Sequence, residues 1–175
     1  PEIDILRDMA PELARPLRET LISLVLGTDM SAHFVNLKDF ASVAEEVMTH
    51  PQPDWNRKEG HKEKLMWAIL HTADISGQAK PEPLFNRWCE RCYEEFFRQG
   101  DRERALGRPV SPLMDRSTTR IPQSQIGFIN FIVMPTFEAL AIVNHDLEDG
   151  PIEQLRSNLA YWEALAQNDE APKSN

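Results

Sequence analysis

Cysteine is scarce: two in 175 residues. That is too few for a disulfide framework and suits a reducing compartment. Positive charge is also short, with 19 Lys and Arg against 28 Asp and Glu and a formal charge of −9. No Lys/Arg-rich face stands out, which argues against nucleic acid as the main partner. No apolar run reaches the roughly 18 residues of a membrane span, and no secretory leader is evident. These features predict a soluble, cytoplasmic chain. Repeats and low-complexity tracts are missing too. The hydrophobic share of 41% excludes a disordered chain, and the length suits one domain with a real core.

Nearly every segment carries a helical period. Leu13, Leu17, Leu21, Leu24 and Thr28 form one stripe, opened by Pro11 and interrupted by Pro16. Phe34, Leu37, Phe40, Ala44 and Val47 form a second, and Met66, Ile69, Leu70 and Ala73 a third. Phe85, Trp88, Cys92 and Phe96 continue the series. Ile126, Ile129, Val133, Phe137 and Leu140 follow, then Ile152, Leu155, Leu159 and Trp162 behind Pro151. No alternating strand competes with them. The expectation is an all-α multi-helix bundle over residues 1–167, with a flexible tail over 168–175. The stretch from Gly100 to Ser124 reads as a long loop, which in a compact domain is functional or mobile. "LISLVLG" and "GFINFIVMPTF" are apolar on more than one face and call for partners on two sides.

Three constellations carry chemistry. In "HTADISGQ", Asp74 ends an apolar helix, where its charge opposes the macrodipole by roughly 0.3–1 kcal/mol. It reads either as a solvated aspartate that starts the next turn or as a metal ligand, with His71 at i−3 to join or brace the site. In "SQIGF", Gln125 and Phe128 share a helix face with Ile132. An amide beside a phenyl ring can bond a purine edge and stack on its plane; the same residues also suit a polar position in a core helix. In "GTDMSAH", Thr28, Asp29 and Ser31 have the chemistry of a helix junction, which accounts for them without a function. Cys89 and Cys92 make a C-x-x-C that reads as two helix positions one turn apart, with no second pair to complete a zinc site.

Taken together, "GTDMS", "HTADIS", "RWCERCYEEFFRQGDRERALG", "SPLMDR" and "SQIGFINFIVMPTF" resemble, in this order and spacing, the class I 3′,5′-cyclic nucleotide phosphodiesterase catalytic domain. The stretch from Ser111 onward is most similar to the calmodulin-stimulated subfamily. The resemblance implies hydrolysis of cyclic AMP, cyclic GMP or both to 5′-monophosphates with two divalent metals, Zn2+ and Mg2+ or Mn2+. Asp74 matches the aspartate shared by the metals, Gln125 the glutamine that holds the purine, and Phe128 the phenylalanine that stacks on it. Ile75, Ile132 and Leu113 match apolar positions around the base. Thr28, Asp29 and Met30 match a segment beside metal and substrate, while Trp88 and Phe96 match a buried pocket wall and core. Gly77 and Gln78 depart from the family, which carries a side chain that orients the base and a proline at those places.

The family's H-N-x-x-H and H-D-x-x-H motifs do not occur; His145-Asp146 lies at the wrong end of the chain. The sequence therefore reads as the C-terminal half of the domain, with no catalytic acid of its own, partnered by a missing N-terminal half and inactive alone. The alternative is a truncated, non-catalytic fragment that binds a nucleotide or a helical partner.

Overall fold

The computed structural model describes residues 6–170. Every regular element among them is helical, so the all-α expectation holds. Contacts divide the chain between Asp74 and Ile75 into two compact units.

The first unit holds α1 (Pro11–Leu26), a short 3-10 turn (Met30–Ala32), α2 (His33–Met48) and α3 (His61–Asp74). Pro11 sits at the start of α1, where its missing N–H costs nothing; the helix runs on through Pro16. Phe40, Ala44 and Val47 of α2 pack inward with Trp67 and Ala68 of α3. The Phe40 ring stacks on Trp55, centroids 6.3 Å apart. Asp39 pairs with Lys64 at 2.8 Å, and Glu46 pairs with Lys58. The Trp67 indole N–H donates to the Gly27 carbonyl at 2.7 Å and ties α3 to the end of α1.

Two of the expected apolar stripes do not face this core. No residue of α1 is buried, and Leu13, Leu17, Leu21, Ile22, Val25 and Leu26 are exposed. In α3 the buried face consists of His61, Trp67, Ala68, His71 and Thr72, so Ile69 and Leu70 point to solvent. Aromatic and imidazole rings fill the space toward α2 better than the aliphatic stripe does.

The second unit holds a 3-10 turn (Ser76–Ala79), α4 (Glu82–Ala105), α5 (Ile121–Phe128), α6 (Met134–Ala141) and α7 (Glu153–Glu170). A π turn, Ile129–Val133, joins α5 to α6, and a second, Glu148–Ile152, leads into α7 and contains Pro151. The core is one cluster of Phe85, Cys89, Tyr93, Ile129, Val133, Phe137, Ala141, Ile152, Leu155 and Trp162. Phe85 meets Trp162 and Tyr161 edge-to-face at 5.6 and 5.7 Å, and its full burial contributes about 1.5–3 kcal/mol. The α4 stripe is rotated from the expected one. Phe85, Cys89 and Tyr93 point inward at every fourth residue, Phe96 is half-buried, and Trp88 is 59% exposed. Cys92 is exposed and Cys89 is a core residue, consistent with an ordinary pair of helix positions.

The long loop is shorter than expected, because α4 continues to Ala105. Its return past α4 is tied at several points. Glu103 accepts from the Ser111 N–H at 2.7 Å and its hydroxyl at 2.9 Å. Arg104 pairs with Asp115 at 2.8 Å and Arg116 with Asp101 at 2.7 Å. The Ser117 hydroxyl and N–H and the Arg104 guanidinium hold the Asp115 carboxyl down at about 2. The tail expected from Asn168 begins inside α7, which runs to Glu170; the remainder lies outside the described residues.

Candidate functional site

In the first unit the junction residues act as the sequence suggests. The Thr28 hydroxyl donates to the Val25 carbonyl at 2.8 Å, closing α1. The Asp29 carboxylate accepts from the Ser31 N–H at 2.8 Å and caps the 3-10 turn; the Ser31 hydrogen bonds lower its pKa. Met30 is 43% exposed. His33 follows directly and opens α2, fully buried, with its Nδ1 2.9 Å from the Nε2 of His71 on α3. Thr28 and Asp29 bond Val25 and Ser31, and only His33 bonds His71. His71 stacks on Trp67, centroids 4.9 Å apart and planes 16° from parallel. Burial lowers the pKa of both imidazoles, with Asp74 pulling His71 the other way.

Asp74 is the last residue of α3 and is exposed. Among the described residues its carboxylate has no hydrogen bond or ion pair, and no group of three or more His, Cys, Asp or Glu converges to hold a metal. His71 spends its Nε2 on His33 and has no exposed surface. The donor set of this chain alone therefore does not fit a divalent-metal centre, which needs several oxygen or nitrogen ligands.

In the second unit, Ile75 packs against the core ahead of the 3-10 turn. That turn is held by Asn158 of α7, whose Nδ2 donates to the carbonyls of Gln78 at 2.7 Å and Lys80 at 2.9 Å. A side chain at Gly77 would meet nothing within 4 Å, so the turn leaves open space there. Gln125 and Phe128 lie one turn apart on α5, and Ile132 follows in the π turn. π turns recur at functional sites because they displace one helix face relative to the next. Phe128 packs against the core and is half-buried. Gln125 is buried, with 7% of its surface exposed. Its Nε2 donates to the Tyr93 hydroxyl at 3.1 Å, while its Oε1 is buried without a partner. A buried acceptor left unpaired costs about 1–3 kcal/mol, and a ligand N–H would recover that. Leu113 is different: it is 50% exposed on the loop, with a positive φ of 66°.

Sequence reasoning missed Tyr93, His33 and Asn158. The Phe85, Cys89, Tyr93 spacing was a signal for Tyr93; His33 was visible only as the end of "GTDMSAH", and Asn158 had no local signal at all.

Comparison with known proteins bears on the chain as a whole. The family model for 3′5′-cyclic nucleotide phosphodiesterase matches residues 1–155. Dual specificity calcium/calmodulin-dependent 3′,5′-cyclic nucleotide phosphodiesterase 1C of Mus musculus is 39% identical over 167 residues, 90% of this chain and 22% of that protein. The corresponding 1B protein of Mus musculus is 37% identical over 99% of this chain and 28% of its own length. The chain thus spans about a quarter of the curated relatives it matches. The solved structure of LmjPDEB1 in complex with IBMX superposes with a TM-score of 0.83 at 27% identity, over 96% of this chain and 49% of that one.

Proposed function

Because the chain belongs to the 3′5′-cyclic nucleotide phosphodiesterase family, we propose that it forms the purine-recognition part of a domain that hydrolyses cyclic AMP, cyclic GMP or both to 5′-monophosphates. The observation that carries this reading is Gln125. It is a buried amide with its nitrogen held by Tyr93 and its oxygen unpaired, one turn from the half-buried Phe128 ring. Such a pair can bond a base edge and cover its face. Ile75 and Ile132 add apolar surface, and Leu113 is a further candidate contact.

In the same reading Asp74 is one ligand of two divalent metals, Zn2+ and Mg2+ or Mn2+. When bound, these ions supply Lewis acidity and an activated water. The free carboxylate of Asp74 supports the assignment, and the remaining ligands and the general acid belong to sequence outside these 175 residues. The chain by itself then binds but does not turn over, and works in the cytoplasm as part of a larger protein.

The test is a titration of the chain with cyclic AMP and cyclic GMP, alongside Gln125→Ala. Saturable binding that the substitution abolishes supports the reading, and unchanged affinity in the variant overturns it. Hydrolysis by the isolated chain with added zinc and magnesium is expected to be undetectable; turnover lost in Asp74→Ala would refute the division of labour.

A further inference from the structure

We propose that the His33–His71 pair is an acid-sensitive clamp on the first unit: uncharged, it ties the start of α2 to the last turn of α3, and proton uptake releases them. Both rings have no exposed surface, and Nδ1 of His33 lies 2.9 Å from Nε2 of His71. That bond needs one ring to donate and the other to accept. An imidazolium carries N–H on both nitrogens and accepts nothing, so two charged rings would set N–H against N–H.

A single proton is also poorly received. The two outer nitrogens, His33 Nε2 and His71 Nδ1, are buried and have no partner. An added proton therefore creates a buried N–H with no acceptor, at a place walled by Trp67 on one side and Phe34 on the other. The Trp67 indole N–H is a donor already committed to the Gly27 carbonyl. Stacking on the indole face offers a cation some attraction, but it supplies no acceptor.

The charged groups of the packed elements do not rescue the charged pair. Asp74 is the one carboxylate whose charge favours His71, from its own helix. Asp29 of the 3-10 turn serves Ser31, Asp39 and Glu46 of α2 serve Lys64 and Lys58, and Glu19 of α1 serves Arg15. Desolvation outweighs Asp74 and keeps both rings below the ordinary imidazole value. For a base so depressed, the unfolded chain binds more protons than the folded one below about pH 6.5. Stability is therefore present above that value and is lost as pH falls through it. The clamp joins the segment that carries Thr28, Asp29 and Met30 to the turn that ends in Asp74, so its release loosens both. The inference stands apart from the nucleotide reading, and neither test decides the other.

The experiment is a pH titration of the full chain followed by nitrogen-edited NMR of the histidine side chains, with the urea-unfolded chain as reference. Two rings fixed in the same tautomer, both Nδ1–H or both Nε2–H, that stay neutral in the folded protein at about pH 6, and lose that state together, are the expected result. A His33 or His71 that protonates near its unfolded value while the fold persists would overturn the clamp. In His33→Leu, His71 should lose its fixed tautomer and the first unit its acid sensitivity. If that variant fails to fold, the wild-type titration alone decides.

Discussion

The Tyr93 hydroxyl accepts a hydrogen bond from the Gln125 amide nitrogen at 3.1 Å, joining α4 to α5 across 32 positions of sequence. A free amide can turn to offer either its oxygen or its nitrogen to a given atom of a base. Here one N–H is spent on Tyr93, which fixes the side on which the oxygen stands. Burial raises the Tyr93 pKa, so the phenol stays protonated and available across the neutral range.

Tyr93→Phe removes the acceptor and keeps the ring. The expected outcome is a loss of about 1–3 kcal/mol in stability, because the buried Gln125 N–H is left unpaired, and a smaller difference between the affinities for adenine and guanine cyclic nucleotides. Paired binding titrations of wild type and variant measure it. An unaltered affinity ratio would mean that Tyr93 does not hold the amide.

The stripes from Ile126 to Leu140 and from Ile152 to Trp162 were legible because their partners lie within the same unit, where Phe85 meets Ile129, Val133, Phe137, Leu155 and Trp162 in one core. Periodicity says that a helix has an apolar side, but not which of two such sides finds a neighbour. That is why the α4 stripe rotated onto Cys89 and Tyr93, and why Ile69, Leu70 and the leucines of α1 are exposed. Gln125 and Phe128 were legible as a pair because they are three residues apart. The Tyr93–Gln125 and His33–His71 bonds were not, since each joins residues that only tertiary packing brings together.

Asn158 is 2% exposed and bonds two backbone carbonyls while its Oδ1 accepts from Gln154 at 3.0 Å. Asn158→Ala strands the Gln78 and Lys80 carbonyls and leaves a void. A loss of about 2–4 kcal/mol is expected, read as a lower urea midpoint of unfolding. Asn158→Asp should cost at least as much, because it removes both donated bonds and buries a charge.

The outer face of α1 predicts behaviour in solution. Leu13 is 65% exposed, Val25 63% and Leu26 71%, and an apolar surface of this extent promotes association. Replacing Leu13 and Val25 by Glu should leave the free energy of unfolding within about 0.5 kcal/mol of wild type while reducing self-association in size-exclusion chromatography. A large loss of stability would mean that these side chains pack within the isolated chain.

Gly100 sets two effects against each other. It lies inside α4, where replacing glycine by alanine ordinarily gains up to about 1 kcal/mol of helix propensity. Here the residue is buried, and a Cβ would run into the Met114 carbonyl oxygen and come within 3.1 Å of Val110 Cγ1. The oxygen belongs to backbone tied by the Glu103–Ser111 and Arg104–Asp115 contacts, so it cannot step aside as a flexible side chain would. Overpacking of about 1–3 kcal/mol outweighs the propensity gain. Gly100→Ala is therefore expected to destabilise the chain, or to free the 106–120 connection from α4. Proteolytic cleavage between Gly107 and Arg120 should then speed up several-fold, and a variant as stable and as resistant as wild type would show that the connection yields without cost.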